Sequence, residues 1–184
     1  TAPVPIGHEY CGVVEAVGPA VKDVRVGQFV VGPFFACCNR CPACLAGFQS
    51  DCAHLQWYDG CQAELLRVPM AAGTLGATPE PPDEHLIPSL LALSDVMGTG
   101  WHAAVSARVG PGMTAAVVGD GAVGLCGVLA CRALGAERLV VMSRHPRRQA
   151  LARTFGATDL VPERGPEAVE QVRPLPPGGG ADAV

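Results

Sequence analysis

The run "TAAVVGDGAVGLCGVLACRALG", residues 114–135, predicts a strand, a tight turn and a helix in direct succession. The first six letters are an apolar β-like run, and the last fourteen predict a helix that stops at Gly135. A second strand, "RLVVMS", and a second helix, "PRRQALARTFG", follow, and "ATDLV", "GPEAVEQVR" and "GADAV" continue the alternation. Because such units join parallel strands by crossovers, the sequence predicts a parallel α/β sheet here.

The loop between the first strand and its helix, GDGAVG at residues 119–124, matches the pattern G-x-G-x-x-G. The first glycine allows a tight turn, the second lets a pyrophosphate approach the backbone, and the third lets the helix pack against the strand. The helix N-terminus offers free N–H groups to an anion. An ordinary turn is the alternative, but the strand before and the helix after favour dinucleotide binding. The candidate binding residues are Gly119, Gly121, Ala122, Val123 and Gly124, whereas Asp120 is given no role.

The end of the second strand bears on which dinucleotide is bound. NAD binders usually place Asp or Glu there, whereas this chain has Ser143 and Arg144. A hydroxyl can bond a 2′-phosphate, and a guanidinium can pair with it. The cluster of Arg144, Arg147 and Arg148 is unfavourable at a helix N-terminus unless an anion lies near. Ser143, Arg144 and Arg148 are therefore candidates for a preference for NADP(H) over NAD(H), with a solvated helix start as the alternative.

A second stretch, "CCNRCPACLAGFQSDC" at residues 37–52, holds five of the nine cysteines. Without the first, the spacing is C-x2-C-x2-C-x7-C, which is typical of four thiolates converging on a structural zinc. An iron–sulfur cluster and a disulfide framework are the alternatives. The predicted zinc ligands are Cys38, Cys41, Cys44 and Cys52. The others are expected to be a spare thiol (Cys37) and small core residues (Cys11, Cys61, Cys126 and Cys131).

Composition excludes several classes of function. The 184 residues are 49% hydrophobic and only 16% charged, which excludes a disordered chain. A net charge of −4 without a basic run argues against nucleic acid as a partner. The apolar runs are too short and too rich in glycine to cross a membrane. We expect a soluble protein of a reducing, cytoplasmic compartment.

The two halves of the chain differ in the secondary structure that their sequences predict. Residues 1–88 contain short β-like runs, "GVVEAV", "GQFVVGPF" and "AELLRVP", broken by turn residues, which predicts an irregular, mostly β domain. Residues 88–109, "PSLLALSDVMGTGWHAAVSARV", predict two helical pieces interrupted at residues 98–100. The sequence thus predicts a domain at 1–88 and a dinucleotide-binding domain with its connecting helices at 89–184.

Residues 7–21, "GHEYCGVVEAVGPAV", match the pattern G-H-E-x2-G-x5-G-x2-V. Together with the cysteine loop and the glycine loop in the same order, this pattern resembles the zinc-containing alcohol dehydrogenases of the medium-chain type. The resemblance implies an α/β protein with a GroES-like, mostly β catalytic domain followed by a Rossmann doubly wound parallel sheet. It also implies zinc-dependent hydride transfer between an alcohol, aldehyde or ketone and NADP(H) or NAD(H).

The resemblance also implies a second, catalytic zinc. Its ligands would be His8 and Asp95, and Glu9 would be a nearby carboxylate that can approach the metal. Thr99 would belong to the catalytic residues, and Thr99 and Gly100 would lie against the nicotinamide. The family also uses an upstream Cys ligand, and none of the residues before His8 is a cysteine. We therefore expect a fragment lacking both ends of an enzyme that forms a dimer or tetramer when full length.

Two other functions fit parts of the pattern. The cysteine loop and the sheet would also suit a zinc-binding, dinucleotide-sensing protein without turnover. A zinc-free quinone reductase of the same broad family is the second alternative. The set of His8, Glu9 and Asp95 speaks against the quinone reductase, because a site without zinc has no need of it.

Overall fold

The computed structural model describes residues 4–174 and 179–184. The chain divides into two compact units, Thr1–Asp95 and Val96–Val184. The domain boundary that the sequence predicts between residues 88 and 89 stays a prediction. Among the residues described, every helix is too short or too polar to span a membrane.

The first unit is built on short antiparallel strands. A three-stranded sheet has the order β1 (Tyr10–Val13), β2 (Phe29–Gly32) and β5 (Gly76–Ala77). A separate pair joins β3 (Phe35–Ala36) to β4 (Gln56–Trp57). In the first sheet Tyr10 lies opposite Gly32, where a side chain would collide with the tyrosine ring, so glycine is required there. Three buried valines, Val14, Val24 and Val30, form the small core beside this sheet.

The helices of the first unit are single turns: α1 (Pro42–Leu45), α2 (Ala71–Thr74) and α3 (Ile87–Leu91). The strand predicted from "AELLRVP" is wrong, because residues 63–69 contain no strand. Their side chains are mostly exposed, with Leu65 77% accessible, and they do not alternate between a buried and an open face. Mean apolarity alone is therefore a weak signal for a strand.

The second unit contains the predicted parallel sheet. Its strands are β6 (Thr114–Val118), β7 (Arg138–Met142) and β8 (Asp159–Val161), in that order and all parallel. Helices α5 (Ala122–Ala133) and α6 (Pro146–Phe155) connect them, and α7 (Pro166–Val172) follows β8. The centre of β7, Leu139 to Val141, is at most 2% exposed because both faces of the sheet are covered.

Helix α4 (Val96–Ser106) opens the second unit and corrects one prediction. The expected interruption at residues 98–100 is absent, and the break in helical structure lies before Val96, at Asp95. Gly100 is buried, and a β-carbon there would come within 2.6 Å of the amide nitrogen of Gly127 in α5. The glycine therefore allows two helices to pack closely rather than ending one of them.

The strand expected at "GADAV" is reduced to a single bridge. Ala183 pairs in parallel with Ala115 on the side of β6 away from β7. The amide of Ala116 donates to the carbonyl of Ala183 at 2.8 Å. The order of the sheet therefore reverses at β6, and open α/β sheets bind ligands at such a reversal, beyond the carboxyl ends of the strands.

Candidate metal centres and dinucleotide site

The four predicted cysteines converge in one lobe of the first unit. Their sulfur atoms all lie within 4.8 Å of one another. The Sγ atom of Cys52 lies 3.6 Å from that of Cys38 and 4.0 Å from that of Cys41. Cys44 lies inside the single turn α1, and a 3-10 turn at Gln49–Asp51 brings the chain back to Cys52.

This donor set fits a zinc ion. Four bonds of about 2.3 Å in a tetrahedron place the sulfur atoms about 3.8 Å apart, close to the separations observed. Sulfur atoms this close together leave room for a single atom among them, which favours one ion over an iron–sulfur cluster. All nine cysteines are free thiols, so the disulfide framework is not formed in this structure.

Backbone N–H groups already stabilise negative charge in the lobe. The N–H of Arg40 is the main cause that lowers the pKa of the Cys38 thiol to about 6. The N–H of Cys44 lowers the pKa of Cys41 in the same way. Burial, helped by contacts with Cys41 and Cys52, raises the pKa of Cys44 to about 12. The lobe thus combines thiols that ionise readily with one that keeps its proton until a cation replaces it.

Cys37 packs against this group, but its sulfur is not one of the four that converge. Its thiol donates to the carbonyl oxygen of Gly73 at 3.1 Å, and its amide donates to Thr74 Oγ1 at 3.1 Å. Burial raises the pKa of this thiol. The expectation of a spare thiol at the rim therefore needs one correction, since Cys37 is only 3% exposed and joins the lobe to α2.

The two ligands implied for a catalytic zinc lie side by side. His8 Nε2 is 3.0 Å from Asp95 Oδ2, although 87 residues separate them in the chain. The side chains are 50% and 23% exposed, so a metal ion could reach both. An imidazole nitrogen and a carboxylate oxygen are ordinary zinc donors. The pair fits two positions of a zinc site.

Ser94 explains how the distant ligands meet. Its buried hydroxyl donates to the carbonyl of Gly32 at 2.6 Å and accepts the amide of Tyr10 at 3.0 Å. These bonds attach the residue before Asp95 to the strand that begins two residues after His8. The sequence reasoning missed this serine, since nothing in its local pattern indicates a long-range contact.

The other residues implied for catalysis are Glu9 in the first unit and Thr99 and Gly100 in the second. Glu9 is exposed, and within residues 4–174 and 179–184 the four cysteines are the only cluster of three or more potential ligands. Thr99 is exposed on α4 in the second unit, and Gly100 is buried against α5. Within the described residues, the structure therefore groups His8 with Asp95 as a pair and not as part of a cluster of three or more candidate ligands.

An aromatic cluster adjoins His8, and the sequence reasoning missed it as well. The ring of Phe34 meets the imidazole edge to face at 5.8 Å. Trp57 stacks on Phe34 at 5.7 Å and 17°, with 66% of its surface exposed. The predicted metal pair thus lies next to an accessible apolar wall.

The glycine loop has the geometry that its pattern predicts. Gly119 has φ of +120°, in the region that favours glycine. A β-carbon at Gly124 would overlap the carbonyl oxygen of Gly119, so helix α5 can start this close to the turn only with glycine there. A cavity of about 400 Å³ extends from Gly119 and Gly121 along α5. The first turn of α5, at the exposed Ala122 and Val123, receives no side-chain cap from the residues that the structure describes.

Asp120, to which the sequence analysis gave no role, makes two side-chain contacts in the structure. Its Oδ2 accepts the hydroxyl of Ser143 at 2.8 Å, and its Oδ1 accepts Arg148 Nη1 at 3.1 Å. These donors, Ser143 first, lower the pKa of the Asp120 carboxyl. Ser143 is only 2% exposed, so its hydroxyl faces the aspartate, whereas Arg144 is exposed.

Two family models match the chain. The first, described as the alcohol dehydrogenase GroES-like domain, matches residues 1–79. The second, described as zinc-binding dehydrogenase, matches residues 122–184. The predicted fold class, a GroES-like domain followed by a Rossmann sheet, is confirmed by these matches and by the solved structures below.

Known proteins resemble the chain over nearly its whole length. Zinc-type alcohol dehydrogenase B of Aspergillus flavus is 34% identical over 97% of this chain and 44% of that protein. Zinc-dependent alcohol dehydrogenase 2 of Streptococcus pneumonia has a TM-score of 0.84 and 32% identity, over 96% of this chain and 51% of the other. A dehydrogenase from Sinorhizobium meliloti 1021, solved with NADP bound, has a TM-score of 0.76 and 30% identity, over 97% and 51%. The chain spans about half the length of the curated relatives it matches.

Proposed function

Because the chain belongs to the zinc-containing alcohol dehydrogenase family of the medium-chain type, we propose that the protein is a zinc-dependent oxidoreductase. It transfers a hydride between an alcohol and the corresponding aldehyde or ketone, with NADP(H) favoured over NAD(H) as the partner. The observation that carries the proposal is the 3.0 Å approach of His8 Nε2 to Asp95 Oδ2.

His8 and Asp95 supply two of the ligands of the catalytic zinc in this proposal. The neutral imidazole donates a lone pair from Nε2, and the carboxylate adds one negative charge. A zinc ion held there supplies Lewis acidity toward an alcohol or carbonyl oxygen. Ser94 holds the aspartate in position through its two backbone partners. Glu9 and Thr99 keep the roles that the family resemblance implies, a carboxylate near the metal and a catalytic hydroxyl.

The four-cysteine lobe holds the structural zinc. Its sulfur spacing supports a closed site with no open position for substrate. The ion would fix the segment between β3 and β4, which has little apolar core besides the cysteines themselves. Its contribution is therefore to folding rather than to the reaction.

The glycine loop and the start of α5 bind the pyrophosphate. Gly119, Gly121, Ala122, Val123 and Gly124 form this part of the site, and Gly100 and Thr99 are proposed for the nicotinamide. Three exposed arginines at the start of α6 support the preference for NADP(H): Arg148 contacts the Asp120 carboxylate, and Arg144 and Arg147 are its close neighbours in the sequence. The related dehydrogenase solved with NADP is consistent with this choice of cofactor.

The substrate side of the site is apolar and aromatic. Phe34 and Trp57 beside His8 support an alcohol or carbonyl compound with a flat or apolar substituent. We propose a cytoplasmic location, because nine unpaired cysteines suit a reducing compartment. The dimer or tetramer expected from the resemblance stays a prediction.

The test uses the full-length protein that contains this chain. Zinc is counted per subunit, and NADP and NAD reduction is followed with a panel of aliphatic and aromatic alcohols. We expect turnover that the variant Asp95→Ala abolishes while the structural zinc stays bound. Turnover that survives metal removal would instead indicate a quinone reductase. Cofactor binding without turnover on any alcohol or carbonyl compound would indicate a dinucleotide sensor.

A further inference from the structure

Asp120 lies at the centre of a three-residue contact chain that the proposed reaction does not explain. It follows the first glycine of the loop, while Ser143 ends the second strand and Arg148 lies in α6. Both carboxylate oxygens have a partner, the serine hydroxyl at 2.8 Å and the arginine Nη1 at 3.1 Å. Three segments 23 and 28 residues apart thus meet at one carboxylate.

The burial of the two charged groups differs. The Asp120 side chain is 12% exposed, whereas the Arg148 side chain is 53% exposed. Of the two paired groups, the guanidinium is therefore the more accessible to a ligand from solvent. A single Nη1 contact leaves the other guanidinium N–H groups available for a phosphate.

The positively charged residues at the start of α6 favour binding of an anion close to Asp120. Arg148 pairs with it directly, His145 adds a favourable electrostatic interaction, and Arg144 and Arg147 flank the first residue of α6 in the sequence. One carboxylate offsets one of the three arginine charges. The positive excess remains, and the guanidinium bonded to the carboxylate gains a defined position.

We propose that Asp120 is a positioning residue that holds Arg148 in place to bind the 2′-phosphate of NADP(H), with Ser143 anchoring the carboxylate from behind. This inference rests on the proposed preference for NADP(H). Ser143 then acts through Asp120 rather than by touching the phosphate. Both carboxylate oxygens already have a protein partner, and the side chain is only 12% exposed, which favours a supporting role for Asp120 over direct contact with the ribose hydroxyls.

The experiment separates the 2′-phosphate from the rest of the nucleotide. Adenosine 2′,5′-bisphosphate and adenosine 5′-monophosphate are titrated calorimetrically into the full-length protein and its Asp120→Asn variant. Asparagine keeps the shape but loses the charge, so we expect bisphosphate affinity to fall about tenfold and monophosphate affinity to change less than about threefold. Ser143→Ala should shift affinities in the same direction by a smaller factor.

Two further variants assign the cause. In an Arg148→Ala background, Asp120→Asn should have little additional effect, because Asp120 acts through that arginine. Asp159→Asn is the matched control, since Asp159 pairs with Arg138 in the same unit at the amino ends of β7 and β8. This control should leave the ratio of the two nucleotide affinities unchanged.

The outcomes are distinct. Unchanged or tighter bisphosphate binding by Asp120→Asn would overturn the positioning role, and equal losses for both nucleotides would overturn it too. If the wild-type protein itself binds the monophosphate as tightly as the bisphosphate, the proposed NADP(H) preference fails, and this inference fails with it.

Discussion

Cys37 and Cys38 are neighbours in the chain, yet their thiols have different partners. The thiol of Cys37 donates to a backbone carbonyl, whereas that of Cys38 faces three other sulfur atoms and has a pKa lowered to about 6. The backbone, and not the residue type, decides which of the two can bind a metal. A thiol already bonded to a carbonyl would have to break that bond to become a ligand.

This difference predicts the effects of two matched substitutions. Cys44→Ser should release about one zinc ion per chain and destabilise the first unit, because three thiolates no longer close the tetrahedron. Cys37→Ser should keep that zinc, since its sulfur lies outside the group. Metal analysis after dialysis measures both. Full zinc retention by Cys44→Ser would contradict the assignment of the lobe.

The two tyrosines of the chain predict a dependence of stability on alkaline pH. Tyr10 and Tyr58 hydroxyls are 2.6 Å apart, and Tyr58 donates to the carbonyl of Pro33 at 2.6 Å. Burial is the main cause that raises the pKa of Tyr58 to about 12 and the pKa of Tyr10 well above its ordinary value. The folded state keeps these protons where the unfolded state, with a pKa of about 10, loses them.

Because the tyrosine pKa values are higher in the folded state than in the unfolded state, the stability of the fold decreases at alkaline pH. The stabilisation from Tyr58 is complete below pH about 10 and is lost as the pH rises through 10 to 12, because the unfolded state then binds fewer protons, and the stabilisation from Tyr10 also declines from pH about 10 upward. Phenolate absorbance of the folded chain should therefore stay low up to a pH near 11, and in denaturant both groups should ionise near 10. The Tyr58→Phe variant separates the ionisation of Tyr10 from that of Tyr58. Ionisation of either residue near pH 10 in the folded state would refute this prediction.

Two glycines at the start of helix α5, Gly121 and Gly124, have different structural roles. In the turn before α5, Gly121 has ordinary extended angles, φ of −78° and ψ of −177°, and open space where a β-carbon would lie. Gly124 faces the carbonyl oxygen of Gly119 instead. The first is thus free for ligand approach, and the second is required by the packing of the turn.

A pair of alanine substitutions separates these roles. Gly124→Ala should lower the free energy of unfolding by about 1–3 kcal/mol, because its methyl group overlaps backbone. Gly121→Ala should change stability by less than about 0.5 kcal/mol and yet weaken dinucleotide binding at least about tenfold, since the pyrophosphate needs that space. Denaturant unfolding and cofactor titration measure the two effects. Equal stability of both variants would show that the close contact at Gly124 is relieved by movement of the turn.

For the whole molecule, the two units have separate sources of stability. The second unit has a buried core around Val128, Leu139 and Val141. The lobe of the first unit has little beyond the cysteines and their neighbours Phe35 and Leu55. Zinc binding should therefore stabilise the first unit and have little effect on the stability of the second.

Removal of zinc by a strong chelator should show this directly. We expect the amides of residues 38–54 to lose protection from hydrogen exchange, since Cys38 and His54 donate their N–H groups to the sulfur of Cys52. The amides of β6 and β7 should keep their protection, which serves as the internal control. Loss of protection throughout the second unit would indicate that its stability depends on the metal.

Much of the site could be predicted from the sequence where the participating residues are close in the chain. The cysteine spacing and the glycine loop each lie within sixteen residues, so short-range backbone geometry nearly determines where their groups point. Strands β6 to β8 could also be predicted, because their apolar runs and the glycines in the turns indicate the same strand boundaries. The interruption at residues 98–100 was wrong because a glycine can serve helix packing as well as helix ending.

Tertiary structure alone decided the contacts between distant segments. His8 and Asp95 were paired by family resemblance and not by spacing, and Ser94 shows what brings them together across 87 residues. Asp120 had no predicted role, because a carboxylate in a glycine loop carries no local sign of its partners. Its contacts with Ser143 and Arg148 exist because parallel strands β6 and β7 end at the same edge of the sheet. Sequence patterns determine local geometry over a few residues, whereas the packing of strands and helices determines which distant side chains come within hydrogen-bonding distance.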